Sequence, residues 1–238
     1  MSYRNILVTG ANRGIGLEFI RQLLSLNPAP KNVIATTRSN SDDLNKLKSA
    51  HSNLHVLVLD LIKYDQFENF TGQVQQIVAD DGLDLLVNNA GILIRDNLET
   101  VTPKNLLTNI EVNAVAPLAL TKSLLPLLKL SASKGKTVVV NVTSQMGSID
   151  DNKSGGNYSY RSSKAVVNMI SKSLAVDLES SNIIILALHP GWVQTDMGSL
   201  KAPITPLTSV SGMLDVISKS DMSKSGSFIN YAGKVLPW

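Results

Sequence analysis

Cysteine is absent from the 238 residues of the chain. This absence excludes disulfide bonds, thiolate metal ligands and a cysteine nucleophile, and it fits a reducing compartment. The three histidines, His51, His55 and His189, do not form an HExxH pattern, which would place two imidazoles on one helical face. The sequence therefore predicts no metal site.

Blocks of charge of one sign are also absent. Lys and Arg together number 22, Asp and Glu number 19, and the basic residues are scattered along the chain. A nucleic-acid-binding surface usually concentrates Lys and Arg on one face or in one segment. No nucleic-acid partner is therefore expected.

Long apolar runs are missing as well. The run 6–8 follows one basic residue, Arg4, and is too short for the core of a signal peptide. No later run approaches the roughly 18 apolar residues that indicate a membrane span. These absences predict a cytoplasmic protein that does not contact a membrane. With 43% hydrophobic residues, the chain suits a single domain over residues 1–238.

The sequence does contain a regular alternation of short β-branched runs with longer helical patterns. Each run is typical of a strand buried on both faces, and the runs cover residues 5–9, 33–37, 55–59, 83–88, 137–143, 183–189 and 228–231. The alternation predicts an α/β fold: a single-domain Rossmann fold with a doubly wound parallel sheet of about seven strands and helices on both faces. Ligands bind at the carboxyl ends of such strands, so the loops 147–157 and 198–206 are candidates for substrate contact.

A glycine-rich turn, TGANRGIG over residues 9–16, joins the first run to a helical pattern. Gly10, Gly14 and Gly16 allow positive φ angles and a close approach of the backbone to a pyrophosphate, and the following helix supplies unpaired N–H groups. The alternative is a tight turn that binds no ligand. The position between a strand and a helix favours dinucleotide binding.

The end of the second run indicates which dinucleotide binds. An NAD site would carry an acidic residue there for the ribose 2′-hydroxyl, but the sequence has Arg38 and no acid. A guanidinium can bind a 2′-phosphate in a bidentate manner, with Arg13 as a second cation, so NADP(H) is the predicted cofactor. The alternative for Arg38 is a solvated loop residue.

Two further strand ends carry polar residues. Asp60 can accept a hydrogen bond from the adenine amino group, although an Asp after a strand is more often a helix cap or a turn former. The turn Asn88-Asn89-Ala90-Gly91 is small enough for the backbone to approach a cofactor, and its alternative is an ordinary polar turn.

Tyr160 and Lys164 lie four residues apart at the start of a helical pattern, which places them on the same face one turn apart. A cation about 4 Å from the phenol, at an effective dielectric of about 20, contributes roughly 4 kcal/mol, or about three pKa units. This estimate predicts that Tyr160 titrates at about pH 7 and can exchange a proton with a substrate. Such a pair is also common on exposed helices, where it has no catalytic role.

Ser144 follows the fifth run and is the candidate for orienting and polarising a carbonyl oxygen as a hydrogen-bond donor. Thr143 and Ser148 compete for the same role. A role for the serine as an acyl-transfer nucleophile is not supported, because no Gly-x-Ser-x-Gly turn surrounds it.

The order of these motifs resembles the short-chain dehydrogenase/reductase family over nearly the whole chain. The matching elements are the glycine turn, the NNAG of residues 88–91, Ser144, Tyr160, Lys164 and the segment HPGWVQT of residues 189–195. Within the family, the stretch PGWVQTDM and the proline-rich turn 27–30 look closest to the sniffer-like and C-factor-like carbonyl reductases.

The resemblance implies an NADPH-dependent oxidoreductase that reduces a ketone, aldehyde or quinone-like carbonyl to an alcohol, with Tyr160 as the proton donor. It also implies that Lys164 binds the nicotinamide ribose and that Asn113 helps to hold a water in a proton relay. The resemblance further implies a homodimer or homotetramer through the helices beginning near Pro103 and Tyr160, although monomeric carbonyl reductases exist. The motifs and the resemblance together assign cofactor contacts to Gly10, Asn12, Arg13, Gly14, Ile15, Gly16, Arg38, Asp60, Leu61, Asn89, Ala90, Gly91, Tyr160, Lys164, Pro190, Gly191, Val193 and Thr195.

The pocket for the small carbonyl substrate is assigned to Ser144, Gln145, Met146, Ile94 and Trp192, although apolar residues beside strands are more often part of a core. The segment 198–206 is short for the lid that the family often forms here, which predicts an open pocket and a broad substrate preference. The polar segment 150–156 predicts a mobile wall on the other side.

Two other functions share this fold. A dinucleotide-binding regulatory or signalling protein would bind the cofactor without chemistry, but it would not need Ser144, Tyr160 and Lys164 together. A sugar-nucleotide epimerase or dehydratase shares the tyrosine and lysine, but it needs a C-terminal substrate domain, for which the stretch after Thr195 is too short.

Overall fold

The structure is a computed structural model that describes residues 3–238. Its strands are β1 (Asn5–Val8), β2 (Asn32–Thr37), β3 (Leu54–Val58), β4 (Leu85–Asn88), β5 (Thr137–Val142), β6 (Ile183–His189) and β7 (Ser227–Asn230). Its α-helices are α1 (Gly14–Leu24), α2 (Asp42–Ala50), α3 (Phe67–Val78), α4 (Pro103–Ile110), α5 (Ala116–Ala132), α6 (Tyr158–Asp177) and α7 (Pro206–Lys219).

The strands form one seven-stranded parallel sheet in the order β3-β2-β1-β4-β5-β6-β7. The direction in which strands are added reverses between β1 and β4. In open sheets of this kind, ligands bind outside the carboxyl ends of the strands at the reversal. The predicted doubly wound Rossmann fold is confirmed.

Alternate residues of the central strands pack into two separate cores, because successive side chains of a strand point to opposite faces. Ile6 and Val8 contact the core that includes residues of α1 and α7, whereas Leu7 contacts the core that includes residues of α3 and α5. The two cores hold the sheet between two layers of helices. The carboxyl edge of the sheet lies at the margin of both cores.

Strand β3 departs from the prediction that every run is buried on both faces. Only Leu54 of this strand is buried, and Val58 is 69% exposed. The reason is its place in the sheet, since β3 is an edge strand that pairs with β2 alone. The prediction holds for β1, β2, β4 and β5, in which every residue is buried.

A π-helical turn, Glu111–Val115, joins α4 and α5 into one helical stretch, Pro103–Ala132. By length and composition alone this stretch could cross a membrane, and half of its most apolar window is buried inside the fold. Core helices of soluble proteins meet the same criterion, so the stretch is weak evidence for a membrane span.

Candidate active site

The glycine turn between β1 and α1 leaves no room for side chains. Gly10 has φ +64°, and a Cβ atom there would lie 2.9 Å from the Cα of Ala90. A Cβ atom on Gly16 would lie 2.2 Å from the carbonyl oxygen of Gly10. The first turn of α1 has neither a side-chain cap nor an acidic residue, so its N–H groups are available to a diphosphate.

Thr9 connects the glycine turn to the NNAG turn, a role that was not predicted. Its Oγ1 accepts hydrogen bonds from the backbone N–H groups of Asn89 (3.0 Å) and Ala90 (3.1 Å). In return, the Asn89 side chain donates to the carbonyl oxygens of Thr9 (2.9 Å) and Gly10 (3.2 Å). The backbone N–H and the side-chain amide of Asn89 thus both donate within the protein, and a contact of Asn89 with a cofactor remains a prediction. The one signal in the sequence is a hydroxyl residue directly after a buried apolar run.

The segment HPGWVQT meets the glycine turn from the other half of the sheet. Gly191 has φ +85°, and a Cβ atom on Gly14 would lie 3.3 Å from Cγ2 of Thr195. Pro190 and Val193 are buried. The remaining predicted cofactor residues of the glycine turn are half-buried: Asn12 and Ile15.

The two arginines predicted to bind a 2′-phosphate lie at the surface. Arg38 follows β2 directly and is exposed. The guanidinium of Arg13 forms an ion pair with Asp196, with Nη1 and Oδ2 2.6 Å apart. Asp196 was not predicted to take part, and it competes with any phosphate for Arg13.

Asp60 lies two residues beyond the end of β3, and its carboxylate accepts a hydrogen bond from the N–H of Ile62 (3.3 Å). This contact forms a turn, which was the alternative role considered for Asp60. The neighbouring Leu61 is buried. Contacts of both residues with a cofactor remain predictions.

Tyr160 and Lys164 lie in the first two turns of α6 and are buried, with 8% and 5% of their surfaces exposed. The Lys164 Nζ lies 5.8 Å from the centre of the Tyr160 ring and donates a 2.8 Å hydrogen bond to the carbonyl oxygen of Val142 in β5. A Cβ atom on Gly91 would lie 3.8 Å from the same Nζ. The structure therefore brings the NNAG turn, the end of β5 and α6 together around Lys164.

The prediction that Tyr160 titrates near neutral pH is wrong for this structure. Burial raises the pKa of Tyr160 to about 12, while a hydrogen bond with Ser144 acts in the opposite direction. Burial also lowers the pKa of Lys164 to about 8, and its Nζ is directed to the Val142 carbonyl. Loss of solvation disfavours both charged forms, and attraction between the two groups is not among the causes of either pKa shift.

Three hydroxyls compete for the role of polarising a carbonyl oxygen, and two of them are engaged elsewhere. Thr143 Oγ1 donates to a side-chain oxygen of α6 at 2.7 Å, and Ser148 Oγ donates to the carbonyl oxygen of Trp238 at 3.0 Å. Ser144 Oγ accepts from the N–H of Met146 (3.1 Å), a contact that does not use its own hydrogen. The geometry therefore favours Ser144 for this role.

Asn113 lies in the π-helical turn, and its side chain is used within the protein. Its Nδ2 donates to the carbonyl of Ile92 (2.9 Å) and to Ser163 Oγ (2.9 Å), and its Oδ1 accepts from the N–H of Ile92 (2.7 Å). The α-helical partner of its backbone carbonyl would be residue 117, which is a proline and has no N–H. The role of Asn113 in holding a water remains a prediction.

A small cavity lies between the sheet and the π-helical turn. It measures about 10 Å³, close to the smallest volume that holds one water. Asn88, Asn113, Pro117 and Val142 are among the residues that line it. Within the described residues, Oδ1 of Asn88 is buried and has no hydrogen-bond partner. The volume and the unpartnered Oδ1 of Asn88 fit one buried water.

The loop 147–157 forms one wall of the site and is held at several points. Arg161 donates to Ser154 Oγ (2.8 Å), and the N–H of Asp150 donates to the carbonyl oxygen of Trp238 (2.9 Å). These contacts link the loop to α6 and to residue 238, and the mobility predicted for the segment 150–156 remains a prediction.

The segment 198–206 is folded back on the end of the HPGWVQT segment. Val193 and Ile204 form an isolated parallel bridge, and the N–H of Gln194 donates to the carbonyl oxygen of Ile204 (2.8 Å). Arg95, from the segment after β4, donates to the carbonyl oxygen of Met197 (3.2 Å). The segment therefore packs against the end of the HPGWVQT segment, beside the segment that follows β4.

The predicted substrate residues differ in exposure. Trp192 is 56% exposed, and its indole N–H donates to the carbonyl oxygen of Gly198. Gln145 is exposed and donates to a carboxylate of the loop 147–157. Met146 and Ile94 are half-buried. Their contact with a substrate remains a prediction.

Comparisons with known proteins agree with this geometry. A model of the short chain dehydrogenase family matches residues 4–203. Carbonyl reductase Sniffer of D. melanogaster has a TM-score of 0.97 and 38% identity, covering 99% of this chain and 100% of that one. The NADPH-bound carbonyl reductase from chicken fatty liver has a TM-score of 0.96 and 38% identity, covering 100% of both chains. The C-signal of Myxococcus xanthus is 41% identical over 157 residues, which are 66% of this chain and 93% of that protein.

Proposed function

The chain belongs to the short-chain dehydrogenase/reductase family, and from this premise we propose that it is an NADPH-dependent carbonyl reductase. It reduces a ketone, an aldehyde or a quinone-like carbonyl to an alcohol, with Tyr160 as the proton donor. One observation carries the proposal: Ser144, Tyr160 and Lys164 form a buried group at the carboxyl edge of the sheet, next to the NNAG turn.

The residues around the glycine turn fit a phosphorylated dinucleotide. The backbone of Gly10 and Gly16 and the uncapped start of α1 would hold the diphosphate. Arg13 and Arg38 would hold the 2′-phosphate, since guanidinium groups bind phosphate in a bidentate manner. The similar reductase from chicken fatty liver is NADPH-bound, which supports the same cofactor here. When bound, NADPH supplies the hydride for the reduction.

Tyr160 is suited to give a proton and not to take one. Because burial holds its pKa at about 12, the phenol is protonated at neutral pH. In the reduction the carbonyl carbon gains hydride and the oxygen gains negative charge, which the Ser144 hydroxyl stabilises by a hydrogen bond. The oxygen then takes the Tyr160 proton and becomes the alcohol hydroxyl.

Lys164 connects Tyr160 to the interior of the protein. An ammonium group has three donor hydrogens, and one of them bonds the Val142 carbonyl. The others are available for the nicotinamide ribose and for a water at the backbone carbonyl of Asn113. Such a chain would return a proton to Tyr160 after each turnover.

The test is NADPH consumption by the purified protein, measured by absorbance over a panel of ketones, aldehydes and quinones. Replacing Tyr160 by Phe should abolish turnover and leave the affinity for NADPH, measured by fluorescence titration, unchanged. Tyr158→Phe is the matched control, because Tyr158 lies on the same turn of α6 and is 39% exposed. An active Tyr160→Phe enzyme would contradict the proposal.

The alternative is a dinucleotide-binding regulatory or signalling protein on the same fold. Similarity to a protein named C-signal is the observation that favours it. Such a protein would bind NADPH tightly, consume none of it with any carbonyl of the panel, and behave identically when Tyr160 is replaced by Phe.

We also propose a homodimer or homotetramer in the cytoplasm. The helices α4 to α6 carry exposed apolar side chains, and Leu107, Met169 and Val176 are each more than 60% exposed. Apolar surface of this kind is often covered in an oligomer. Light scattering on the purified protein measures the oligomeric state, and a monomer that persists at all concentrations would contradict this assignment.

A further inference from the structure

The N-terminus of α6, the helix that carries Tyr160, is not capped by its own sequence. The N-cap residue Asn157 has φ 49° and ψ 44°, and its side chain makes no capping hydrogen bond. Most N-cap residues are extended, and their side chains accept from an N–H of the first turn. The helix therefore begins with N–H groups that need partners from another segment.

Asp96, from the segment after the NNAG turn, supplies these partners. Its carboxylate oxygens lie 3.4 and 3.3 Å from the backbone N of Ser159, and one of them also accepts from the Ser159 hydroxyl. The backbone carbonyl of Asp96 accepts from the N–H of Asn157 at 2.7 Å. One residue, 63 positions away from Ser159, thus satisfies two N–H groups and a hydroxyl at the start of α6.

The Asp96 carboxylate is buried together with its partner. Asp96 is 9% exposed and Ser159 is fully buried. A buried carboxylate is unfavourable unless it is hydrogen-bonded or paired, and within the described residues Asp96 forms no salt bridge. Its compensation comes from Ser159 and from the positive end of the α6 dipole. The carboxylate and the helix start therefore hold each other in place.

The segment that carries Asp96 is fastened at its other end to the π-helical turn. Asn113 bonds both backbone groups of Ile92, accepting from the N–H (2.7 Å) and donating to the carbonyl (2.9 Å). Four residues further on, Asp96 bonds Ser159, the residue before Tyr160. The segment 92–96 therefore spans the site from Asn113 to the turn that carries the phenol.

From these contacts we propose that Asp96 is a positioning residue for the reduction: by capping α6 from outside, it fixes Tyr160 relative to the NNAG turn. The inference rests on the proposed function, because it needs Tyr160 as the proton donor. Asp96 acts through Ser159 and does not touch the reacting atoms. An error of about 1 Å in the place of a catalytic group can lower a rate roughly a hundredfold.

The test compares Asp96→Ala with Asp96→Asn in steady-state reduction of the best carbonyl of the panel. Asp96→Ala should lower kcat about tenfold to a hundredfold, while the Kd for NADPH and the KM for the carbonyl stay unchanged. Asp96→Asn keeps an oxygen that can accept from Ser159, so it should recover most of kcat. A loss divided equally between kcat and the affinity for NADPH would overturn the proposal.

Thr102→Ala is the matched control. Thr102 caps α4, where its side chain accepts from the N–H of Asn105 at 3.1 Å, and this exposed cap is not part of the site. The control should lose stability and keep its kcat. The proposal is wrong if Asp96→Ala loses no more kcat than Thr102→Ala.

Should Asp96→Ala fail to fold, Ser159→Ala is the second variant, because it removes the hydroxyl and keeps the backbone N–H. It should lower kcat by a smaller factor with unchanged NADPH affinity. A Ser159→Ala enzyme with wild-type kcat would then overturn the proposal.

The activity of the wild-type protein separates the inference from the proposed function, and hydrogen exchange at the amides of residues 158–160 tests the capping contact itself. Asp96→Ala should speed exchange at these amides relative to wild type, and Thr102→Ala should not. A wild-type protein that consumes no NADPH refutes the proposed function and, with it, a role in positioning for reduction. A wild-type protein that is active, combined with Asp96→Ala of normal kcat, refutes the inference alone, whatever the exchange rates.

Discussion

The two ends of the proposed cofactor site differ in their contact with water. At the nicotinamide end, Ser144, Tyr160 and Lys164 are between 5% and 8% exposed. At the adenosine end, the side chains of Arg13 and Asp196 are 69% and 77% exposed. Charges interact far more strongly inside a protein than at its surface, where water and salt screen them. Substitutions at the two ends should therefore differ in size as well as in the quantity they change.

The largest effect is expected for Lys164→Met. This change removes a buried charge that bonds the Val142 carbonyl and that is proposed to take part in the proton relay. The value of kcat/KM for carbonyl reduction should fall by about a hundredfold to ten-thousandfold, the range of general acid–base catalysis. Lys172→Met, an exposed position on the same helix, should leave it unchanged. Comparable activity in the two variants would contradict the expectation that a buried lysine contributes more to kcat/KM than an exposed one.

The second effect is a dependence on pH. Burial lowers the pKa of Lys164 to about 8, so its proton is bound below that pH and is lost above it. The pKa of Tyr160 is about 12, so the phenol stays protonated over the same range. Reduction needs both protons, and kcat/KM should therefore be level below about pH 8 and fall about tenfold for each further unit. A level profile up to about pH 10 would show that Lys164 keeps its charge.

A variant with a permanent charge sharpens this test. Lys164→Arg stays protonated at all accessible pH values. Any activity that it retains should show no decline near pH 8, in contrast to the wild type with its Lys164 pKa of about 8. A decline at the same pH in both proteins would assign the titration to another group.

The third effect, at the exposed end, should change binding and not chemistry. Arg38→Asp replaces the cation predicted at the 2′-phosphate by an anion. A hydrogen bond to a charged group contributes about 1.5–3 kcal/mol, so the Kd for NADPH should rise about tenfold to a hundredfold. The Kd for NADH should stay the same or fall, and kcat at saturating NADPH should change little. Arg21→Asp, at the far end of α1, is the control; equal NADPH affinity in the two variants would refute the role of Arg38.

The smallest effect is expected for Asp196→Asn. The change removes the anion that pairs with Arg13 (Nη1 to Oδ2, 2.6 Å) and leaves Arg13 free for the phosphate. An exposed ion pair contributes at most about 1 kcal/mol, so the Kd for NADPH should fall about twofold to fivefold, with no change for NADH. Calorimetric titration with both cofactors measures this difference. Weaker binding of NADPH would mean that Asp196 holds Arg13 in its binding position.

The parts of the fold that the sequence predicts best are those with a strong local pattern. Residues 183–189 are predicted as a strand and form β6 with the same bounds, because apolar side chains continue through the whole run. The same reasoning overestimates the burial of β3, whose place at the edge depends on strand order and not on its own residues. Local pattern therefore identifies strands better than it identifies their surroundings.

The site shows the same limit. Tyr160 and Lys164 are recognisable from a spacing of four residues, but their pKa values depend on burial by distant segments. Asp96 and Ser159 are 63 positions apart. The sequence around each residue contains no motif from which their contact could be predicted. Residues proposed to contact a ligand can be predicted from sequence motifs. Residues that position those motifs can be identified only from the tertiary structure.

The loop wall around Ser148 and Asp150 has a consequence for the order in which the protein is built. Both residues bond the carbonyl oxygen of Trp238, whose ring stacks on Phe228 with the ring centres 5.5 Å apart. A ribosome delivers a chain from its N-terminus, so the glycine turn and the whole of α6 emerge well before Trp238. The two hydrogen bonds that hold this wall can therefore form only after residue 238 has been synthesised.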